Sequence, residues 1–270
     1  MENKILLAAI LCFAITQTTT AQWTATTGPT QPNVVSVATA SANTFAAAGA
    51  AVSYTANNGT NWTIVNNGLA GTIYSVATKG ADIFAGASGG SVFQSSNNGT
   101  NWTNTSTGLP SYDIRFLTVN GSDIYAGTFG IYKSSNSGLL WTKLNQTWNQ
   151  TVNSIAVSGT TILAATQTGG IYMTTDGGSN WNTINTGLPT TVYAVTIVGS
   201  TFLAGTASGV YISTNSGSSW TATSVTDVIG SFTSVGSNVF AGSTSGGGVF
   251  LSTNSGGSCV GFPDCWPAIS

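Results

Sequence analysis

Apolar residues in this chain come in short runs separated by polar turns, and no window keeps a helical period over three turns. Between Ile73 and Ser106 four runs follow one another: Ile73 to Thr78, Ile83 to Ala87, Ser91 to Ser95 and Trp102 to Ser106. The same order recurs roughly every 40 residues along the chain. The first run alternates in most units, as in Val34-Val35-Ser36-Val37-Ala38 and Val192-Tyr193-Ala194-Val195-Thr196, which is how a strand with two unlike faces reads. The second consists of small residues and often ends on glycine, as in Ile83-Phe84-Ala85-Gly86, Ile124-Tyr125-Ala126-Gly127 and Phe202-Leu203-Ala204-Gly205. Such a glycine predicts close approach by a neighbouring backbone. The third carries an aromatic in Val92-Phe93, Ile131-Tyr132, Ile171-Tyr172, Val210-Tyr211 and Val249-Phe250. Turns such as Asn120-Gly121 and Gly169-Gly170 join the runs.

Between the third and fourth runs lies a polar turn ending on tryptophan. It reads Ser95-Ser96-Asn97-Asn98-Gly99-Thr100-Asn101-Trp102 in one unit and recurs as Thr55 to Trp62, Ser134 to Trp141, Thr174 to Trp181 and Ser213 to Trp220. A sixth copy, Ser252 to Cys259, lacks the tryptophan. The pattern Ser/Thr-x-Asn/Asp-x-Gly-x-x-Trp fits a hairpin. The Asn or Asp side chain is expected to accept from the backbone N–H two residues on, and the glycine supplies a positive φ. The tryptophan is expected to begin the returning strand and to pack as an apolar plate. Successive tryptophans stand 40, 39, 40 and 39 residues apart, and a further 39 reaches Cys259. Stepping back 39 from Trp62 lands on Trp23.

These turns resemble the Asp-box (BNR) repeat of β-propeller proteins, among them sialidases, sortilin, xyloglucanases and photosystem II assembly-factor-like proteins. The resemblance covers residues 23–258 and implies an all-β fold with four-stranded blades. Four short antiparallel strands per period of this length is itself the size of a propeller blade. The first three runs occur six times each, and the fourth occurs six times if Trp23-Thr24-Ala25-Thr26 is counted. The expectation is a six-bladed β-propeller whose last blade is closed by this N-terminal strand beside Val249 to Ser252, removing a free edge.

Composition narrows the chemistry. Charged residues are 4% of the 270 positions, against roughly 25% ordinarily, and the net charge is −2. With five basic residues, neither nucleic acid nor an acidic membrane is expected as a partner. No histidine occurs, which removes the commonest general base and metal ligand together; no cofactor and no metal are expected. Met1 to Lys4 precedes eleven apolar residues, Ile5 to Ile15, too few to span a bilayer at ~20 residues. With Thr19-x-Ala21 behind it, the segment reads as a signal peptide over residues 1–21, cleaved before Gln22. The expectation is therefore a secreted protein, extracellular or periplasmic and off the membrane after cleavage, with a propeller over 22–258 and an irregular tail over 259–270. Cys259 and Cys265 in that tail read equally well as a local disulfide or as two free thiols.

Candidate site residues follow from comparing the units. Sialidases need a cluster of arginines, and the mature chain has Arg115 alone and no glutamate, so a sialidase is excluded. A glycoside hydrolase needs two carboxylates roughly 5–9.5 Å apart. Asp113 and Asp227, in loops leading into first strands, are the candidates for that alternative, or for a lyase. Five of the six boxes carry asparagine in place of aspartate, so they form no anionic ring for a cation. In the first strand the opening residue is always Ile or Val, whereas the second varies: Val35, Tyr74, Arg115, Asn153, Tyr193, Gly230. A propeller's inner strands line its channel, so these side chains should ring one mouth. The entry loops add Tyr112 and Trp148, which breaks the tryptophan register. Tyr74, Tyr112, Arg115, Trp148 and Tyr193 are thus the expected ligand-binding set, suited to a glycan or an extracellular protein. The expected function is a non-catalytic binding or interaction module; alternatives are the hydrolase or lyase, and a structural extracellular component.

Overall fold

A computed structural model describes residues 28–29, 33–144, 148–257 and 268–269. They form six antiparallel sheets of four strands, each a simple meander in which chain order is sheet order. The first strands are Val34–Ala40, Ile73–Lys79, Phe116–Asn120, Val152–Ser158, Val192–Val198 and Ile229–Val235. Each packs beside its successor from the first sheet to the sixth. Together they enclose a central cavity of about 1330 Å³. The protein is a six-bladed β-propeller with these as its inner strands.

The glycines that end the second strands explain why blades pack so closely. A Cβ on Gly86 would meet the Ile114 side chain at 2.7 Å, one on Gly127 would meet Val152 at 2.9 Å, and one on Gly205 would meet Ile229 at 2.8 Å. In each case the clash is with the opening residue of the next blade's inner strand. Ile73, Ile114, Val152, Val192 and Ile229 are all fully buried.

The repeated turn is held from within. In blade two the Ser95 hydroxyl donates to Asn97 Oδ1 (2.8 Å) and accepts from Gly99 N (2.9 Å), while Asn97 Oδ1 also accepts from Asn101 N (2.9 Å). The Asn side chain therefore reaches the amide four residues on, not two. The turn also needs two left-handed residues in succession, Asn98 at φ 55° and Gly99 at φ 81°, which is why Asn, Ser or Gly precedes the fixed glycine. In blade four the box acid, Asp176, holds Thr174 Oγ1 and the Asn180 amide in the same way. These bonds keep its carboxyl well below the usual range, the Thr174 hydroxyl contributing most and the Asn180 amide next.

The tryptophan does not begin the returning strand; it stands just before the two-residue outer strand, as Trp102 does before Thr103–Asn104. Its backbone and indole are both committed to the preceding blade. Trp102 N donates to Asn67 O (2.9 Å) and Trp102 Nε1 to Val65 O (2.7 Å). Trp141 and Trp220 repeat the indole bond, to Thr105 O (2.8 Å) and Ile184 O (2.6 Å).

The last blade differs from expectation. Its fourth strand is Ala268–Ile269, with Phe250 opposite Ala268 and Val249 opposite Ile269. The place expected for Trp23 to Thr26 is therefore occupied from the C-terminal side, within a stretch expected to be irregular. Trp23 to Thr26, the signal-like segment, Cys259 and Cys265 all lie outside the described residues.

Candidate functional site

The variable second position of the inner strand has a structural cause. In five blades the pairing between first and second strands slips there, between Val34 and Ser36, Ile73 and Ser75, Val152 and Ser154, Val192 and Ala194, and Ile229 and Ser231. Blade three does the equivalent: Arg115 N donates to Gly127 O (2.9 Å) while Phe116 is also opposite Gly127. A bulged residue sits outside the ladder and is re-aimed, so its side chain is free to change without disturbing the pairing.

Val35, Tyr74, Arg115, Asn153 and Gly230 line the central cavity. Asn153 also ties blade four to blade five, its Nδ2 donating to Val192 O (3.0 Å). Tyr193 holds the same bulge position and is half-buried, but it is not on the cavity wall.

Beside this mouth is a second pocket of about 200 Å³, lined by Ser111, Tyr112, Asp113, Arg115, Thr128, Phe129 and Thr151. Arg115 belongs to both walls, which makes it the hinge point of the site. Tyr112 is 55% exposed and Phe129 36% exposed, and their ring centroids lie 5.0 Å apart. Sequence reasoning missed Phe129. It occupies the turn between second and third strands, where other blades carry Ser88, Gln167, Ala207 and Thr244, so a lone aromatic there was the available signal.

Trp148 is not part of this mouth. Its ring stacks on Tyr172 (4.2 Å, 17°) and meets the edge of Trp181 (5.7 Å, 82°), within the hydrophobic cluster between blades three and four. The reason is local. Trp181 is less buried than Trp102, Trp141 and Trp220, and its indole turns to its own Gly178 O (3.0 Å) instead of the preceding blade. Trp148 covers the face that this leaves.

Asp113 and Asp227 are not brought together. They enter blades three and six, on opposite sides of a six-membered ring. Asp113 Oδ1 accepts from Gly89 N (3.2 Å), and Asp227 Oδ2 from Ser243 Oγ (3.1 Å), so each braces a neighbouring turn. Among the described residues, no group of three His, Cys, Asp or Glu side chains is placed to hold a metal.

Residues 90–208 match the family model described as the DUF6242 beta propeller domain, somewhat under half of the chain. No curated protein matches. Among solved structures, YCF48 bound to D1 peptide is similar at a TM-score of 0.64 and 14% identity, over 77% of this chain and 75% of that one. A GH74 xyloglucanase from Xanthomonas campestris is similar at 0.69 and 13% identity, over 86% of this chain and 46% of the enzyme. PorZ, a surface component of the type-IX secretion system of Porphyromonas gingivalis, is similar at 0.57 and 15%, over 81% and 32%. The chain thus spans less than half the length of the last two. At these identities the likeness is one of fold, a β-propeller shared by binding proteins and by glycoside hydrolases.

Proposed function

We propose that this is an exported, non-catalytic binding module of the Asp-box type, holding a glycan at the channel mouth around blades two to four. One observation carries the reading. Where six units repeat one scaffold, the bulged position and its entry loops are the places that change chemistry, and they put Tyr74, Arg115 and Tyr112 on two adjoining cavities, with Phe129 added from the turn between second and third strands. Exposed aromatic faces beside hydroxyl and amide groups suit a sugar ring, with an apolar face and a polar edge. Both binding proteins and glycan-cleaving enzymes among the similar structures are consistent with a ligand at a propeller's mouth. The separation of Asp113 from Asp227 speaks against the hydrolase, because glycosidic hydrolysis needs two carboxylates flanking one bond. A protein ligand is the alternative occupant of the same surface, and export rests on the signal-like segment before Gln22.

The test is turnover against titration on a panel of polysaccharides. The expected result is saturable binding with no released product, and Asp113→Asn unchanged in both. Product release abolished by Asp113→Asn would overturn the binding-module reading. N-terminal sequencing of the released protein should begin at Gln22; Met1 there would refute cleavage.

A further inference from the structure

We propose that the ligand of this mouth is an acidic glycan, and that Arg115 reads its carboxylate; the proposal rests on the mouth-binding reading above. Among the described residues the other cations are engaged. Lys79 Nζ donates to Ser137 Oγ (3.1 Å), Lys133 pairs with Asp123 (2.6 Å), and Lys143 Nζ donates to Asn149 Oδ1 (2.6 Å). Arg115 is exposed, and its guanidinium has no hydrogen-bond or ion-pair partner among the described residues, on the wall that both cavities share. The carboxylate on the same pocket wall, Asp113, already receives the Gly89 amide. A guanidinium presents a planar fork that matches a carboxylate by two parallel bonds. Tyr112 and Phe129 stand beside it as the apolar plate for the sugar ring, and the Thr151 hydroxyl lines the same pocket. A uronic-acid residue joins those features in one ring: an apolar face, hydroxyl edges and a carboxylate.

The probes are oligogalacturonate and a neutral galactan of equal length, titrated by calorimetry at low and high salt. Wild type should bind the acidic oligomer about tenfold tighter at low salt, the scale of one charge-assisted hydrogen-bond pair. Arg115→Gln should abolish the preference, bringing the acidic affinity down to the neutral one and erasing its salt dependence. Equal affinities in wild type would overturn the carboxylate proposal and leave the mouth reading intact. Binding of neither oligomer, with an acidic peptide binding in their place, would overturn both. Arg115→Gln that weakens both oligomers equally would also overturn it, since a merely structural role predicts that result.

A separate observation carries a second inference, about ring closure. Three box tryptophans bond a carbonyl 36 or 37 residues upstream, in the preceding blade's outer edge. Trp62 breaks the rule: its Nε1 is buried and has no acceptor. The blade before it around the ring is the sixth. Inner-strand contacts fail at the same seam. The fourth residue of the inner strand is 3–5% exposed in blades two to five (Val76, Leu117, Ile155, Val195), but Val37 is 57% exposed. Ser36, Ser75 and Ser154 each accept, through Oγ, the amide of that fourth residue in the next blade (Val76, Leu117 and Val195); no such bond joins Ser231 to Val37 among the described residues.

We infer that the seam between blades six and one is a latch, shut when Trp62 Nε1 bonds the backbone carbonyl of Ile269. Ala268 is opposite Phe250 as Ala222 is opposite Tyr211, which places Ile269 where Val65, Thr105 and Ile184 stand in their blades. Counted along the sequence, Trp266 precedes Ala268 by two residues as Trp220 precedes Ala222. The same step back from Trp62 also reaches Ala25 and Thr26, so the N-terminal segment is the competing acceptor. Trp62→Phe, removal of 268–270 and removal of 22–27 from the full mature chain should be compared by thermal unfolding, with a double variant for each deletion. The inference predicts that Trp62→Phe and loss of 268–270 each lower the midpoint and do not add. Non-additivity with loss of 22–27 instead would overturn it in favour of the N-terminal segment, and additivity with both would show that Trp62 latches nothing.

Discussion

At one end of blade two, the turn from Ser95 to Trp102 closes through five hydrogen bonds within itself and two from its tryptophan to the neighbouring blade. At the other end, the chain enters the inner strand through a bulge at Tyr74 that belongs to no ladder pair. Blade three repeats the contrast, with Ser134 to Trp141 at one end and Tyr112, Arg115 and Phe129 at the other. Almost every polar group of the box turn has a partner, and the indole plate is buried, so a change there leaves a donor or a cavity behind. Among the described residues the bulged Tyr74 and Arg115 side chains carry no such bond, although Asn153 does, to Val192 O. The difference explains how one repeated sequence keeps its fold while one face of it diversifies.

The largest expected effect lies at the box end. Trp141 is 2% exposed and its indole bonds Thr105 O, so Trp141→Ala should cost about 3–5 kcal/mol in denaturant unfolding. A loss below about 1 kcal/mol would break the comparison, because it would make the box dispensable. Trp148→Ala comes next. Since Trp148 packs on Tyr172 and Trp181, stability should fall by a few kcal/mol while glycan affinity stays the same. Weaker binding in a protein of unchanged stability would return Trp148 to the mouth. Gly127→Ala follows, pressing a methyl against Val152 at 2.9 Å, with an expected cost of about 1–3 kcal/mol.

The smallest effect concerns pH. Asp176 has its carboxyl depressed below the ordinary value of 3.8 by Thr174 and Asn180. Its contribution is therefore complete above that value and is lost as pH falls through the lower folded-state value. Asp176→Asn, which matches the other five boxes, should flatten the acid limb of a melting-temperature profile and leave neutral pH nearly unchanged. An acid limb identical to wild type would show that the turn does not distinguish carboxylate from amide.

Much of the scaffold was legible because it repeats. Four runs per unit, the tryptophan spacing and the glycine at the end of the second strand each have one structural meaning, and repetition reinforces it, with five box tryptophans and four such glycines, Gly86, Gly127, Gly205 and Gly242. The bulge was legible only indirectly, as the position where the units disagree. Trp148 misled because a broken register says what a residue is not. Which aromatic it meets depends on Tyr172 and Trp181, contributed by other strands. Phe129 is not marked by the loops entering the inner strands, because the pocket is completed from the next hairpin along. The fourth strand of the last blade escaped for a different reason. Its register is regular, but it arrives after an insertion that hid the repeat.

The claim that the divergent mouth, and not the uniform box end, holds the ligand is tested most directly by mapping amide shifts during titration with the acidic oligosaccharide. The account predicts shifts at Tyr74, Tyr112, Arg115, Phe129 and Thr151, with the box amides of Gly59, Gly99, Gly138 and Gly217 unmoved. Shifts confined to the box amides, with the mouth silent, would contradict it.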